Sequence, residues 1–183
     1  AESFAGRLQL LFPVSDTFEG AITLHGARSD ANAAAYQHQA TGIAADGITN
    51  VAAGGTDAFG YRDTDDDNFA GDYNRVGALQ LDSLGASVKL EFDINDSLSL
   101  TSVSAVDVVD KFHQEDSDMG PNPFIEPTFT SETQTFTQEI RLNGVTERSD
   151  WVLGMYFLSN DVTVGNRLDT TNIGFVHFKV DAE

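Results

Sequence analysis

Hydrophobic and polar residues alternate along much of the chain. Between residues 17 and 28, Phe18, Ile22 and Leu24 fall on one face, with Gly20 and Gly26 between them. Thr17, Glu19, Ala21, Thr23 and His25 fall on the other. From residue 83 to 92, Leu84, Ala86, Val88, Leu90 and Phe92 oppose Ser83, Ser87, Lys89 and Glu91. Leu100, Val106, Val108 and Phe112 oppose Ser99, Thr101, Asp107 and Lys111. Phe136, Ile140 and Leu142 oppose Thr135, Thr137, Glu139 and Arg141, and a shorter run sets Leu8, Leu10 and Phe12 against Arg7 and Gln9. Successive side chains of a pleated strand point to opposite faces, so this period of two predicts strands, and helical spacing is scarce. Residues 151–162 start apolar on both faces and are expected to form a sixth strand, with a seventh beginning near residues 175–180.

The connections differ in length. Residues 13–16, 93–96 and 143–150 combine Pro, Asp, Asn and Gly in ways that predict hairpin turns. Residues 29–78 and 113–130 are long polar segments, whereas the median connection in compact domains is about 4 to 6 residues. Antiparallel strands reverse at each connection, so the short turns are expected at one end and the long segments at the other. A strand of about 10 residues is some 34 Å long at roughly 3.4 Å per residue. Tilted by about 45°, it covers roughly 24 Å, the height of the apolar band of an outer-membrane barrel. Alternation also fits a secreted antiparallel sandwich with one face wet. If the strands are barrel wall, Phe18, Ile22, Leu24, Leu84, Val88, Leu90, Phe136 and Ile140 face lipid. Glu19, Lys89, Glu139 and Arg141 then face the lumen.

Composition narrows the partners. The 183 residues carry 29 acidic and 10 basic side chains, a formal net charge of -19. Nucleic acid and anionic inner-leaflet surfaces are therefore poor partners. With no cysteine, disulfide scaffolds, iron–sulfur sites, zinc fingers and thiol catalysis are excluded. A hydrophobic content of 40% is too high for a disordered acidic tail. The longest apolar runs, such as residues 155–158, fall far short of the roughly 18 residues of a membrane-spanning helix. The opening Ala1-Glu2-Ser3-Phe4 lacks the basic and apolar regions of a signal peptide, as expected after removal of a leader or for an internal fragment.

One strand pair carries a resemblance. Phe136-Thr137-Gln138-Glu139-Ile140-Arg141-Leu142 is followed, after a turn, by Asp150-Trp151-Val152-Leu153-Gly154-Met155-Tyr156-Phe157. This resembles the recurrent barrel strands of TonB-dependent outer-membrane receptors, an F-x-Q-E-[LI]-R-L segment and then W-x-x-G-x-[YF]-[YF]. Residues 7–16, Ser97-Leu98-Ser99-Leu100-Thr101-Ser102, and the acidic stretch of residues 61–73 are similar to other parts of such barrels. The resemblance implies an all-β fold in which antiparallel up-and-down strands form part of a transmembrane β-barrel. It implies a place in the outer membrane of a Gram-negative bacterium. It also implies uptake of a scarce nutrient (a siderophore, a metal chelate or an oligosaccharide) driven through the TonB system. The family barrel has about 22 strands and a plug domain with a TonB box, neither of which is recognisable here. Residues 1–183 are therefore expected to be a slice of the barrel with about six strands, without the plug through which TonB acts.

Candidate chemistry is sparse. There is no G-x-S-x-G elbow, H-E-x-x-H, P-loop or dinucleotide fingerprint, so no catalytic residue, enzymatic activity or cofactor is expected. Asp63, Asp65 and Asp67 have the spacing of a calcium loop, but Asn68 stands where its glycine would be and Asn74 where its bidentate Glu would be. A solvated acidic loop is the expectation there. His113, Glu115, Asp116 and Asp118 put one imidazole beside three carboxylates, too few convergent ligands for a transition metal. His25, His38 and His177 lie in separate segments. Asn95-Asp96-Ser97 matches a glycosylation sequon inside an expected turn. Trp151, Tyr156 and Phe157 are expected in the aromatic girdle of a barrel. Eight acids against Arg62 and Arg75 in residues 29–78 tilt the ligand toward neutral saccharides or metal-masked chelates. The rival reading is a secreted acidic β-sandwich for carbohydrate binding or calcium-dependent adhesion; another is a smaller porin-like barrel without a plug.

Overall fold

A computed structural model of the protein describes residues 1–33, 41–43, 50–52, 61–64, 67, 70–170 and 174–182. Among them no helix occurs. The strands are β1 (Glu2–Ser15), β2 (Phe18–Ala31), β3 (Thr41–Ile43), β4 (Asn50–Ala52), β5 (Ala78–Asn95), β6 (Leu98–Gln114), β7 (Glu126–Val145), β8 (Asp150–Thr170) and β9 (Gly174–Ala182). Seven of them form one open antiparallel sheet in the order β1-β2-β5-β6-β7-β8-β9, while β3 and β4 form a separate ribbon. The main sheet is an up-and-down meander interrupted in sequence only by β3 and β4. The expected seventh strand is present as β9.

The strands outrun the expected ten residues: β7 has 20 and β8 has 21. Pairing continues past the apolar stretch through Thr128, Thr130, Ser131 and Thr133, residues suited to a pleated backbone. Phe129 is the one large apolar side chain of β7 in that stretch, so alternation fades while the ladder goes on. The expected loop over residues 113–130 shrinks to residues 115–125 for the same reason.

Asp16 and Thr17 join β1 to β2, Asp96 and Ser97 join β5 to β6, and residues 146–149 join β7 to β8. In this meander those turns share one end, and the connections over residues 32–77 and 115–125 share the other. The β8–β9 link, residues 171–173, also belongs to that second end and is short, so the loop end is not uniformly long. A register shift at each two-residue turn marks a bulge. Asn95 Oδ1 accepts the Ser97 amide at 2.9 Å, so the side chain of the sequon holds its own turn. Adjacent turns are laced together, since Thr17 O accepts Asp93 N at 2.8 Å and Ser97 O accepts Val145 N at 2.9 Å.

Among the described residues no hydrophobic side chain is buried. The chain exposes 12659 Å², against about 8,600 Å² for a compact monomer of its mass. Each strand of the main sheet contacts only its neighbours in the ladder. A sandwich needs a second sheet over the apolar face, and none covers it among these residues.

The register fixes the faces. Phe18, Phe92, Leu100, Leu142 and Leu153 lie in one cross-strand row, and Ile22, Val88, Ser104 and Gln138 in another on the same face. Phe18, Ile22, Leu24, Leu84, Val88, Leu90, Phe136 and Ile140 therefore share one face, and Glu19, Lys89, Glu139 and Arg141 share the opposite one. Strand β8 breaks the division: Met155 and Phe157 lie on the apolar face, and Tyr156 and Leu158 lie exposed on the polar face.

Aromatics collect at the turn end of the apolar face. Phe12 covers Gly20 across the β1–β2 ladder, and the Trp151 indole covers Gly144 across β7–β8. Each fills the space that a glycine leaves beside it in the sheet. Phe18 meets Phe92 edge-on with ring centroids 6.3 Å apart. Tyr156 is on the other face and Phe157 lies higher in the sheet, opposite Gln138. Alternation along β8 puts Tyr156 on the face opposite Trp151 and Phe157, so the three do not form one belt.

Candidate functional site

Three polar constellations stand out, one on each face and one at the loop end. On the apolar face, Ser102, Ser104 and Gln138 interrupt the hydrophobic band. Ser104 Oγ donates to Gln138 Oε1 at 2.5 Å, and Gln138 Nε2 donates to Ser102 Oγ and Glu139 O, each at 3.0 Å. The three side chains satisfy one another, which matters in an apolar medium, where an unpaired polar group costs several kcal/mol. Gln138 has the same parity as Phe136, Ile140 and Leu142, so the sequence pattern already implied its place.

On the polar face, ion pairs run between alternate residues of single strands. Lys89 Nζ lies 2.9 Å from Glu91 Oε1, and Arg141 Nε lies 3.1 Å from Glu139 Oε1. Gly154 faces Arg141 across the ladder and leaves room for its side chain. Further toward the loop end, Arg7, His25, Gly85, Asp107, Thr135 and Asn160 form one row across six strands. His25 Nε2 reaches Asp107 Oδ1 at 2.8 Å although a whole strand lies between them. Gly85 makes this possible, because a Cβ there would collide with both groups. In the same row Thr135 Oγ1 donates to Asn160 Oδ1 at 2.7 Å. The sequence placed His25 and Asp107 on one face but gave no sign that they meet.

At the loop end, residues 70–77 are clamped onto the β6–β7 connection. Arg75 Nη2 lies 2.9 Å from Glu126 Oε2 and 3.5 Å from Asp169 Oδ2. It thereby ties the long connection to the start of β7 and the end of β8. Asn74 Nδ2 donates to Glu126 Oε1 as well. Asp116 is buried, and its carboxylate accepts the amides of Met119 at 2.9 Å, Asn74 at 3.2 Å and Arg75 at 3.4 Å. Asp118 Oδ2 accepts the amides of Phe124 and Ile125 at 2.8 and 2.7 Å. Met119 takes φ 58, the left-handed conformation that closes this tight cap. Burial pushes the Asp116 carboxyl above its ordinary range, and Asp118 adds to the shift while the three amides pull it back. Tyr61 donates to Asp72 Oδ2 at 3.3 Å. Burial first, then Asp72 and Asp63, raise its phenol above the ordinary range.

The expected sites divide accordingly. Within the run from His113 to Asp118, His113 Nε2 lies 3.4 Å from Glu115 Oε2, but Asp116 and Asp118 are spent on backbone amides. Among the described residues no group of three or more potential ligands is placed to hold a metal ion. The acidic run at Asp63 falls partly outside the described residues, as do His38 and the side chain of His177. No protein-family profile matches the chain, and no similar curated protein or solved structure was found.

Proposed function

We propose that this chain is a section of the wall of an outer-membrane β-barrel of the TonB-dependent receptor type. In that role it contributes to uptake of a scarce nutrient from outside the cell. The observation that carries the reading is a single uncovered sheet, apolar on one face and charged on the other. In water that apolar face would be a large liability, and in a bilayer it is matched to lipid. The aromatics at the turn end and the closed Ser102–Ser104–Gln138 knot support the same placement. The receptor type rests on the motif segments, which pair directly: Gln138 with Phe157, Ile140 with Met155, Leu142 with Leu153.

In this reading the turn end faces the periplasm and the loop end faces the exterior. The chain performs no covalent chemistry. The polar face borders the lumen that a plug would fill, and the clamp around Arg75 holds part of the long β2–β5 connection in a fixed place beside the mouth. Neutral saccharides or metal-masked chelates suit the acidic loops better than bare anions.

Residues 1–183 contain no cysteine to compete with an introduced label, and any cysteine elsewhere in the full-length protein is replaced by serine first. Single cysteines at Val88, Leu90 and Ile140, and at Lys89 and Glu139, carry nitroxide labels in the full-length protein reconstituted in bilayers. The first set should respond to oxygen dissolved in lipid and the second to a water-soluble relaxant. Equal response of both sets to the aqueous relaxant would refute the wall.

A further inference from the structure

Toward the turn end of the polar face, Glu19 on β2 stands directly opposite Glu91 on β5. The row continues with Thr101 on β6 and Arg141 on β7. Like charges facing each other across a ladder repel, yet the carboxyl groups of Glu19 and Glu91 come within hydrogen-bonding range of each other. Two bare carboxylates do not hold such a contact, so a proton or a cation belongs between them. The nearby basic side chains are engaged elsewhere. Lys89 Nζ takes only Glu91 Oε1, at 2.9 Å, and Arg141 Nε turns to Glu139 Oε1 at 3.1 Å. Glu19, whose ladder partners are Pro13 and Glu91, forms no ion pair among the described residues. Beside the two carboxyls lies a hollow of about 300 Å³, lined by Glu19, Glu91, Asp93, Ser99 and Thr101. Thr101 is only 5% exposed, and its hydroxyl opens into this hollow without a hydrogen-bond partner among the described residues. A buried hydroxyl left unpaired is costly, so this one points to a ligand.

We propose that the hollow binds a hydrated magnesium ion between Glu19 and Glu91, with the Thr101 hydroxyl as a third oxygen. Every group that lines the gap between the two carboxyls offers oxygen, which selects a hard cation. Only two carboxylates converge, too few for the roughly six to eight oxygens of a calcium cage. Magnesium keeps several waters and binds through one or two carboxylates. The hollow holds about ten waters at roughly 30 Å³ each, so the ion fits with its water shell. Asp93 and Ser99 border that shell and accept hydrogen bonds from it. A shared proton would neutralise the pair but leave Thr101 unpaired. The proposal concerns the polar face alone and does not rest on the membrane reading.

The test places one nitroxide at Val103→Cys, two residues beyond Thr101 on the same face, in full-length protein with any other cysteine replaced by serine. Manganese(II) is the paramagnetic probe. Its addition should broaden the label's spectrum to saturation with a midpoint of about 1 mM, and excess magnesium should restore the sharp lines. Glu19→Gln and Thr101→Val, the second isosteric and suited to a strand, should each raise the midpoint about tenfold. Broadening that grows linearly to about 10 mM without a midpoint overturns the site, and a pair that merely shares a proton gives that result. A midpoint unchanged by Glu19→Gln overturns it as well.

Discussion

Removing the Arg75 side chain should open the loop end while leaving the sheet intact. In Arg75→Ala the carboxylates of Glu126 and Asp169 lose the cation 2.9 and 3.5 Å away. Side-chain exposure is 23% for Arg75 and 10% for Glu126, so water replaces little of what is lost. Breaking a buried pair by deleting one partner costs about 3 to 5 kcal/mol. Two features reduce that here: Asn74 still donates to Glu126, and Asp169 keeps Arg167 Nε at 2.9 Å. About 2 kcal/mol is then expected, which raises local opening about 30-fold. Native-state hydrogen exchange of the full-length protein reads this at the amides of Asn74, Arg75 and Ser117, with Val88 in the ladder as the internal control. Replacing Arg75 and Glu126 together, by Met and Leu, should recover part of the loss, because no carboxylate is left unpaired at position 126 while Asn74 Nδ2 loses its acceptor. Acceleration below about threefold at all three loop amides, or equal acceleration at Val88, would refute the assignment of the clamp to Arg75.

Three further outcomes are expected. Because burial raises the Asp116 carboxyl in the folded clamp, its contribution to clamp stability is full below the ordinary carboxyl range and is lost as pH rises through the raised value. Loop exchange should therefore slow on acidification through that window in wild type relative to Asp116→Asn, and the opposite slope would contradict it. Gly85→Val places a side chain between His25 and Asp107. The exposed pair is worth at most about 1 kcal/mol and the strand preference of Val returns up to about 1 kcal/mol, so net stability should barely move. The His25–Asp107 coupling in a double-mutant cycle should nevertheless fall to zero. Residues 1–183 expressed alone in plain buffer should aggregate, since β1 presents an open edge and the apolar face is uncovered. A monodisperse, cooperatively melting monomer would contradict the barrel wall.

The division of faces was legible in the sequence because alternation is a local property: Leu84 to Phe92 and Phe136 to Leu142 carry it within one strand each. Pairing partners needed more, and the shared parity of the flanking turns supplied it. The strand ends were not legible, because from Thr128 to Thr133 only Phe129 is apolar and one residue carries no period, although the ladder continues. The loop-end clamp was invisible for another reason. Arg75, Asp116, Glu126 and Asp169 lie in four separate segments, and an acidic chain offers many carboxylates that Arg75 could have met. The same excess of acids made Asp116 and Asp118 look like candidate metal ligands, when their roles are to hold backbone amides. The crossing of His25 to Asp107 depended on Gly85, whose importance lies in a missing atom.

The separation of β2 from β5 in sequence bears on how much the connection between them can vary. These strands pair from Phe18–Phe92 to Ala31–Leu79, although residues 32–77 intervene. Closing a chain loop costs only about 0.6 kcal/mol more for each doubling of its length. The β2–β5 connection, roughly four times as long as the β6–β7 connection, therefore costs the fold only about 1.2 kcal/mol extra. The wall is thermodynamically almost indifferent to what is carried between Ala31 and Ala78, provided Asn74 and Arg75 remain to dock it. By loop closure alone, a change in the length of this connection would be nearly neutral for folding, so its length is free to vary while the sheet sequence stays under constraint.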